Sequence, residues 1–176
     1  MSRARLRYAA ALSALLALAG LPSAALGASP PGYQLSTGAT LTASAAQLSG
    51  LVYDGTLTVA TTAGDVQVLQ LTSTSASLTD LQLHVPCTAV PGLGTGMATD
   101  ATTSAGSTSS APSGLTLYAT SVAATSSAGP VAWTPASPPP TAQLGDVALT
   151  GLTVDFAGLE APSLSLPGLA QATSFC

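Results

Sequence analysis

The residues able to do chemistry in this chain are few: one histidine, two cysteines and seven carboxylates. His84 is the sole imidazole and therefore the sole candidate general base. A hydrolytic triad needs that base within hydrogen-bond reach of both a nucleophile and an orienting carboxylate. Asp80 lies on the same strand face as His84, but four residues along an extended strand is about 13 Å, too far to orient the ring. No G-x-S-x-G turn is present to expose a serine. His84 therefore reads as a solvated residue on a polar strand face, and no catalytic residue is assigned.

Metal and phosphate chemistry fare no better. One histidine and two cysteines do not furnish a four-ligand transition-metal shell, and the chain has no D-x-D-x-D-G calcium loop. Asp54 and Asp65 flank opposite ends of one expected hairpin strand and do not converge. The LGTG run at Leu93 to Gly96 lacks the lysine and following helix of a phosphate loop. The expectation is no metal, no cofactor and no catalytic site.

Charge narrows the field further. Arg3, Arg5 and Arg7 are the chain's three cationic side chains, against Asp54, Asp65, Asp80, Asp100, Asp146, Asp155 and Glu160. Neutralising nucleic-acid phosphates or anionic lipids needs cations that residues 8–176 do not contain, so no nucleic-acid partner is expected. Carboxylates crowded together without cations predict a fold that gains stability as pH falls.

The three arginines precede an apolar run from Tyr8 to Ala19 and the small-residue stretch SAALGAS. That is the pattern of a secretory signal peptide over residues 1–28, cleaved after Gly27 or Ala28, with its apolar run short for a membrane span. The mature chain, 29–176, is then a single β domain without a transmembrane segment, secreted or held in the cell envelope. Two cysteines in an exported chain predict one disulfide, Cys87 to Cys176.

The elements that position these residues read as strands. From Gly50 to Cys87 apolar residues recur at every second position, with Leu57 and Val59 on one face, and Leu81, Leu83 and Val85 on another. The phase slips between Val68 and Leu69, the mark of a bulge or of a strand buried on both faces. Asp54-Gly55 and Ala63-Gly64-Asp65 predict tight turns, giving strands Leu48–Tyr53, Thr56–Thr61 and Val66–Leu71. A longer strand, Ala76 to Val85, is expected to end at Pro86. Residues 88–114 read as a flexible loop rich in Ser, Thr and Gly, and 135–143 as a stiff proline-rich connector. Further strands are expected at Leu115–Thr120, at Val131–Thr134 and through LGDVALTGLTVDF, with a bulge at Gly151. The fold class is all-β and antiparallel, a β-sandwich or curved β-sheet.

The tract VQVLQLTSTSASLTDLQLHVPC, then LTLYAT, then TPASPPP resembles small exported proteins of high-GC actinobacteria. In these a strand ending in Pro-Cys precedes a variable linker and a proline-rich connector. The resemblance spans roughly Leu51 to Leu166 and implies export and an all-β domain; it carries no catalytic residue. The functional expectation is a non-catalytic structural or interaction protein of the envelope or extracellular space. The alternative is a carrier of a lipid or small apolar ligand between its sheets, and a secreted hydrolase ranks third.

Overall fold

The computed structural model describes residues 38–61, 64–89 and 96–176. The signal peptide expected over 1–28, and residues 62–63 of the turn expected at Ala63-Gly64-Asp65, lie outside them. Ten strands form one antiparallel sheet: β1 (Ala39–Thr61), β2 (Gly64–Ser73), β3 (Ser75–Thr79), β4 (Gln82–Ala89), β5 (Gly96–Thr102), β6 (Thr108–Ala111), β7 (Leu115–Ser126), β8 (Gly129–Trp133), β9 (Gln143–Glu160) and β10 (Ala170–Phe175). Among the described residues there is no helix. The all-β antiparallel class expected from alternation is the one observed.

β1 organises the rest. β2, β3 and β4 run back along one of its edges as a single long hairpin, in constant register from Thr40 opposite His84 to Tyr53 opposite Leu71. β9 covers the other edge of its first half, from Ala39 opposite Phe156 to Val52 opposite Gln143. β2 also pairs with β7, and β7 with β9. The pairings β1–β2–β7–β9–β1 thus close a circuit, which removes most free edges. Its interior is apolar, with Leu41, Leu69, Leu71, Leu149, Val154 and Phe156 all in the buried cluster.

Four sequence readings need correction. Asp54-Gly55 does not reverse the chain: β1 runs through it to Thr61, and the register slips by one residue between Tyr53 and Gly55. Gly55 adopts φ 129°, so the dipeptide supplies the positive φ of a bulge instead of a turn. The strand expected from Ala76 to Val85 is broken at Asp80, whose φ is 53°. Pro86 lies inside β4, which continues to Ala89. There β4 bulges against β5 between Val85 and Thr88, a place where a missing N–H is tolerated. Finally, the 88–114 segment read as a loop contains β5 and β6. Its buried positions among the described residues are Gly96, Thr99, Ala101, Ser109, Ala111 and Gly114, and such small residues give alternation almost no hydrophobic amplitude.

Other readings hold. Val68 and Leu69 are each fully buried, so the phase slip marks a strand covered on both faces. Gly151 sits at φ 59° where the β7–β9 register slips opposite Ala124. Cys87 and Cys176 are bonded, with Cα atoms 6.2 Å apart.

Candidate functional site

On the outer face of the sheet the register lines up five polar side chains on five adjacent strands. Asp100 of β5 faces His84 of β4, and His84 faces Thr40 of β1. Thr40 faces Asp155 of β9, and Asp155 faces Ser121 of β7. Alternation puts all five on one side, because their neighbours Leu41, Val122 and Val154 point into the core.

The row is hydrogen-bonded internally. His84 Nδ1–H donates to Asp100 Oδ1 over 2.6 Å. Thr40 Oγ1 and Ser121 Oγ each donate to Asp155 over 2.8 Å, one to each carboxylate oxygen. Histidine thus has the carboxylate partner that a triad requires, but it is Asp100, not Asp80. The pair is open to solvent, its side chains 53% and 58% exposed. The hydroxyl opposite His84 in register, that of Thr40, is committed to Asp155.

No family model, curated protein or solved structure matches this chain.

Beside the row lies a shallow groove of about 630 Å³, lined by Thr42, Ser44, Asp80, Gln82, Thr103 and Thr153 among others. Asp80 is the one non-glycine residue with positive φ among those described. Its carboxylate accepts from Ser44 Oγ at 2.7 Å and from the backbone N–H of Gly106. These two bonds, Ser44 first, hold the carboxyl below its ordinary pKa against a small opposing effect of burial. The backbone N–H of Asp80 donates to Ser107 and that of Thr103 to Leu81, so the 103–107 turn is tied to the break between β3 and β4.

Two further carboxylates follow the same rule. Asp54 accepts from Thr72 Oγ1 at 2.7 Å, and Asp146 from the N–H of Gly50 at 2.8 Å. The described residues include no lysine or arginine, and hydroxyls and backbone amides supply the donors that cations would otherwise provide.

The apolar interior leaves a cavity of about 40 Å³ between leucines such as Leu41, Leu51, Leu71 and Leu149, with Ser73 and Trp133 at its wall. That is room for a few water molecules at most. Among the described residues, no three His, Cys, Asp or Glu side chains come together to hold a metal ion.

Sequence reasoning placed His84 on a polar strand face, where it is. It missed Asp100, which falls in the segment read as a loop and is brought to His84 only by the β4–β5 register.

Proposed function

We propose that the chain is a non-catalytic structural or interaction protein of the cell envelope or extracellular space. The observation that carries this reading is the engagement of the outer polar row. The imidazole has its carboxylate, but the hydroxyl beside it donates elsewhere, and the pair stands on an open strand face. Such an array stabilises a surface; it does not enclose a reacting atom away from water. The disulfide is consistent with an oxidising compartment outside the cytoplasm, and the resemblance to small exported proteins points the same way. A carrier of apolar ligands would need an enclosed pocket of several hundred Å³, and the filled core favours the interaction reading over it.

Two measurements test the proposal. Purified protein is screened for ester, peptide and glycoside hydrolysis beside His84→Ala; turnover by the wild type that disappears in the variant would overturn the non-catalytic reading. The protein is also incubated with isolated cell envelopes of the producing organism and sedimented. Saturable co-sedimentation is expected. Recovery wholly in the supernatant, together with a cognate lipid in organic extracts of the protein, would favour the carrier.

A further inference from the structure

Among the described residues, three strands of the sheet pair on one side only. β8 pairs with β7 alone, and it is short and carries Pro130, whose missing N–H blunts its edge. β6 pairs with β3, and its outer edge is closed by two backbone bonds exchanged between Ser110 and Ser165. β10 is different. Among the described residues it pairs only with β5, over Ala170–Phe175, in a register without irregularity. It contains no charge, no proline and no bulge, and so none of the devices that keep an edge strand from pairing.

β10 is also held in place without contributing to the core. All six of its residues are exposed, and Phe175, at 77%, is the exposed large hydrophobic residue of the described chain. Yet its end is fixed twice: Cys176 exchanges backbone bonds with Gly96 at 3.0 and 3.1 Å and is disulfide-bonded to Cys87. An exposed strand is thus held extended, its outer edge unpaired among the described residues.

We infer that β10 is a homodimerisation edge, pairing antiparallel with β10 of a second copy about a two-fold axis at Thr173. The register follows from the ladder. Cys176 and Gly96 form a hydrogen-bonded pair, so by alternation Ser174, Ala172 and Ala170 also direct N–H and C=O toward β5. Gln171, Thr173 and Phe175 direct theirs outward. Two such edges meet in full overlap when Thr173 faces Thr173 of the second copy and Gln171 faces its Phe175. All three outward residues are then paired, and each phenyl ring is laid against the neighbouring strand. A second copy fits this edge for an electrostatic reason as well. Apart from His84 the described surface bears only carboxylates, so two copies repel over most faces, whereas β10 is uncharged throughout.

Sedimentation equilibrium of the disulfide-intact protein tests this. The wild type is expected to move from one to two chain masses as concentration rises; a monomer at every concentration overturns the inference. Thr173→Pro removes an N–H that β5 does not use. It should abolish the dimer while leaving the monomer's melting temperature unchanged. Thr173→Lys, which sets two like charges across the axis, should do the same where the proline perturbs folding. A dimer persisting in both variants overturns the assignment. Thr173→Cys reads the register directly: facing Cα atoms of a hydrogen-bonded pair lie about 5.5 Å apart, within disulfide reach. A covalent dimer on a non-reducing gel is expected, and its absence under oxidising conditions overturns the two-fold register.

Discussion

Ser44 Oγ donates to Oδ2 of Asp80 over 2.7 Å, from β1 to the break between β3 and β4. With the Gly106 N–H on the other oxygen, this fixes a residue whose backbone sits at φ 53°, a conformation that aspartate tolerates better than most side chains. The bonds favour the ionised carboxyl and so depress its folded pKa. The folded chain then takes up this proton less readily than the unfolded one. The stabilisation is present in full above the ordinary aspartate value of about 4, and is lost as pH falls through the lower folded value. At Asp80 the sign is opposite to that expected from mutual repulsion of carboxylates. Ser44→Ala should melt below wild type near neutrality, and the gap should close under strongly acidic conditions. A gap that widened on acidification would show that Ser44 acts through something other than the charged form.

Tyr118 provides the alkaline counterpart. Partial burial, then the nearby negative charges of Glu160 and Asp54, push its phenol pKa up. A raised folded value means stability is held below the ordinary tyrosine value of about 10 and lost as pH rises through the folded one. In a tyrosinate absorbance titration, Glu160→Gln with Asp54→Asn should bring the Tyr118 transition to lower pH. Tyr118→Phe should flatten the alkaline loss of stability.

The legible part of this fold is the part written in large aliphatic residues. Leu57, Val59, Leu83 and Val85 alternate strongly enough to declare strands, and Cys87 and Cys176 declare their own bond. The Ala-, Ser- and Thr-rich strands β5, β6 and β10 are different. Their side chains are small or half-polar, so either face suits them, and only pairing with β4, β3 and β5 decides their state. The Asp54-Gly55 dipeptide gives positive φ to a turn and to a bulge alike. Whether the chain reverses depends on the partner strand, which lies outside any local window. The polar row is illegible for the same reason: Asp100, His84, Thr40, Asp155 and Ser121 meet through four separate registers.

Val68 and Leu69 test the two-face burial of β2. Leu69 belongs to the main core cluster, whereas Val68, equally buried, lies outside it on the opposite face. Leu69→Ala should cost about 2–5 kcal/mol by cavity formation. Val68→Thr, which would be harmless on a solvated face, should cost about 1–3 kcal/mol for a buried hydroxyl without a partner. Urea denaturation of both variants measures this. A neutral Val68→Thr would mean that the outer face of β2 is wet.

Gly114 adopts φ 98°, and a Cβ there would stand 2.8 Å from the carbonyl oxygen of Ser73. Strain and contact act together, so Gly114→Ala should destabilise by about 1–3 kcal/mol or more. Gly129, at φ 125° with open space around it, isolates the strain alone. Gly129→Ala should cost less, and equal losses in a denaturation series would assign no role to the Ser73 contact.

Reduction of Cys87–Cys176 should loosen one strand, leaving the core folded. The bond spans 89 residues, for which the chain-entropy model gives a ceiling of roughly 4–5 kcal/mol. The measured global loss should fall well below that ceiling, because β10 is exposed throughout and buries little when it docks. Hydrogen exchange locates the effect. Alternation directs the N–H groups of Ala98, Asp100 and Thr102 toward β10, and those of Thr99 and Ala101 toward β4. After reduction, the first three amides should exchange faster together with those of Ala172 and Ser174, while Thr99 and Ala101 keep their protection. Uniform loss of protection across β4 and β5 would instead make β10 part of the cooperative fold, since local opening confined to a terminal strand spares its neighbour's far edge.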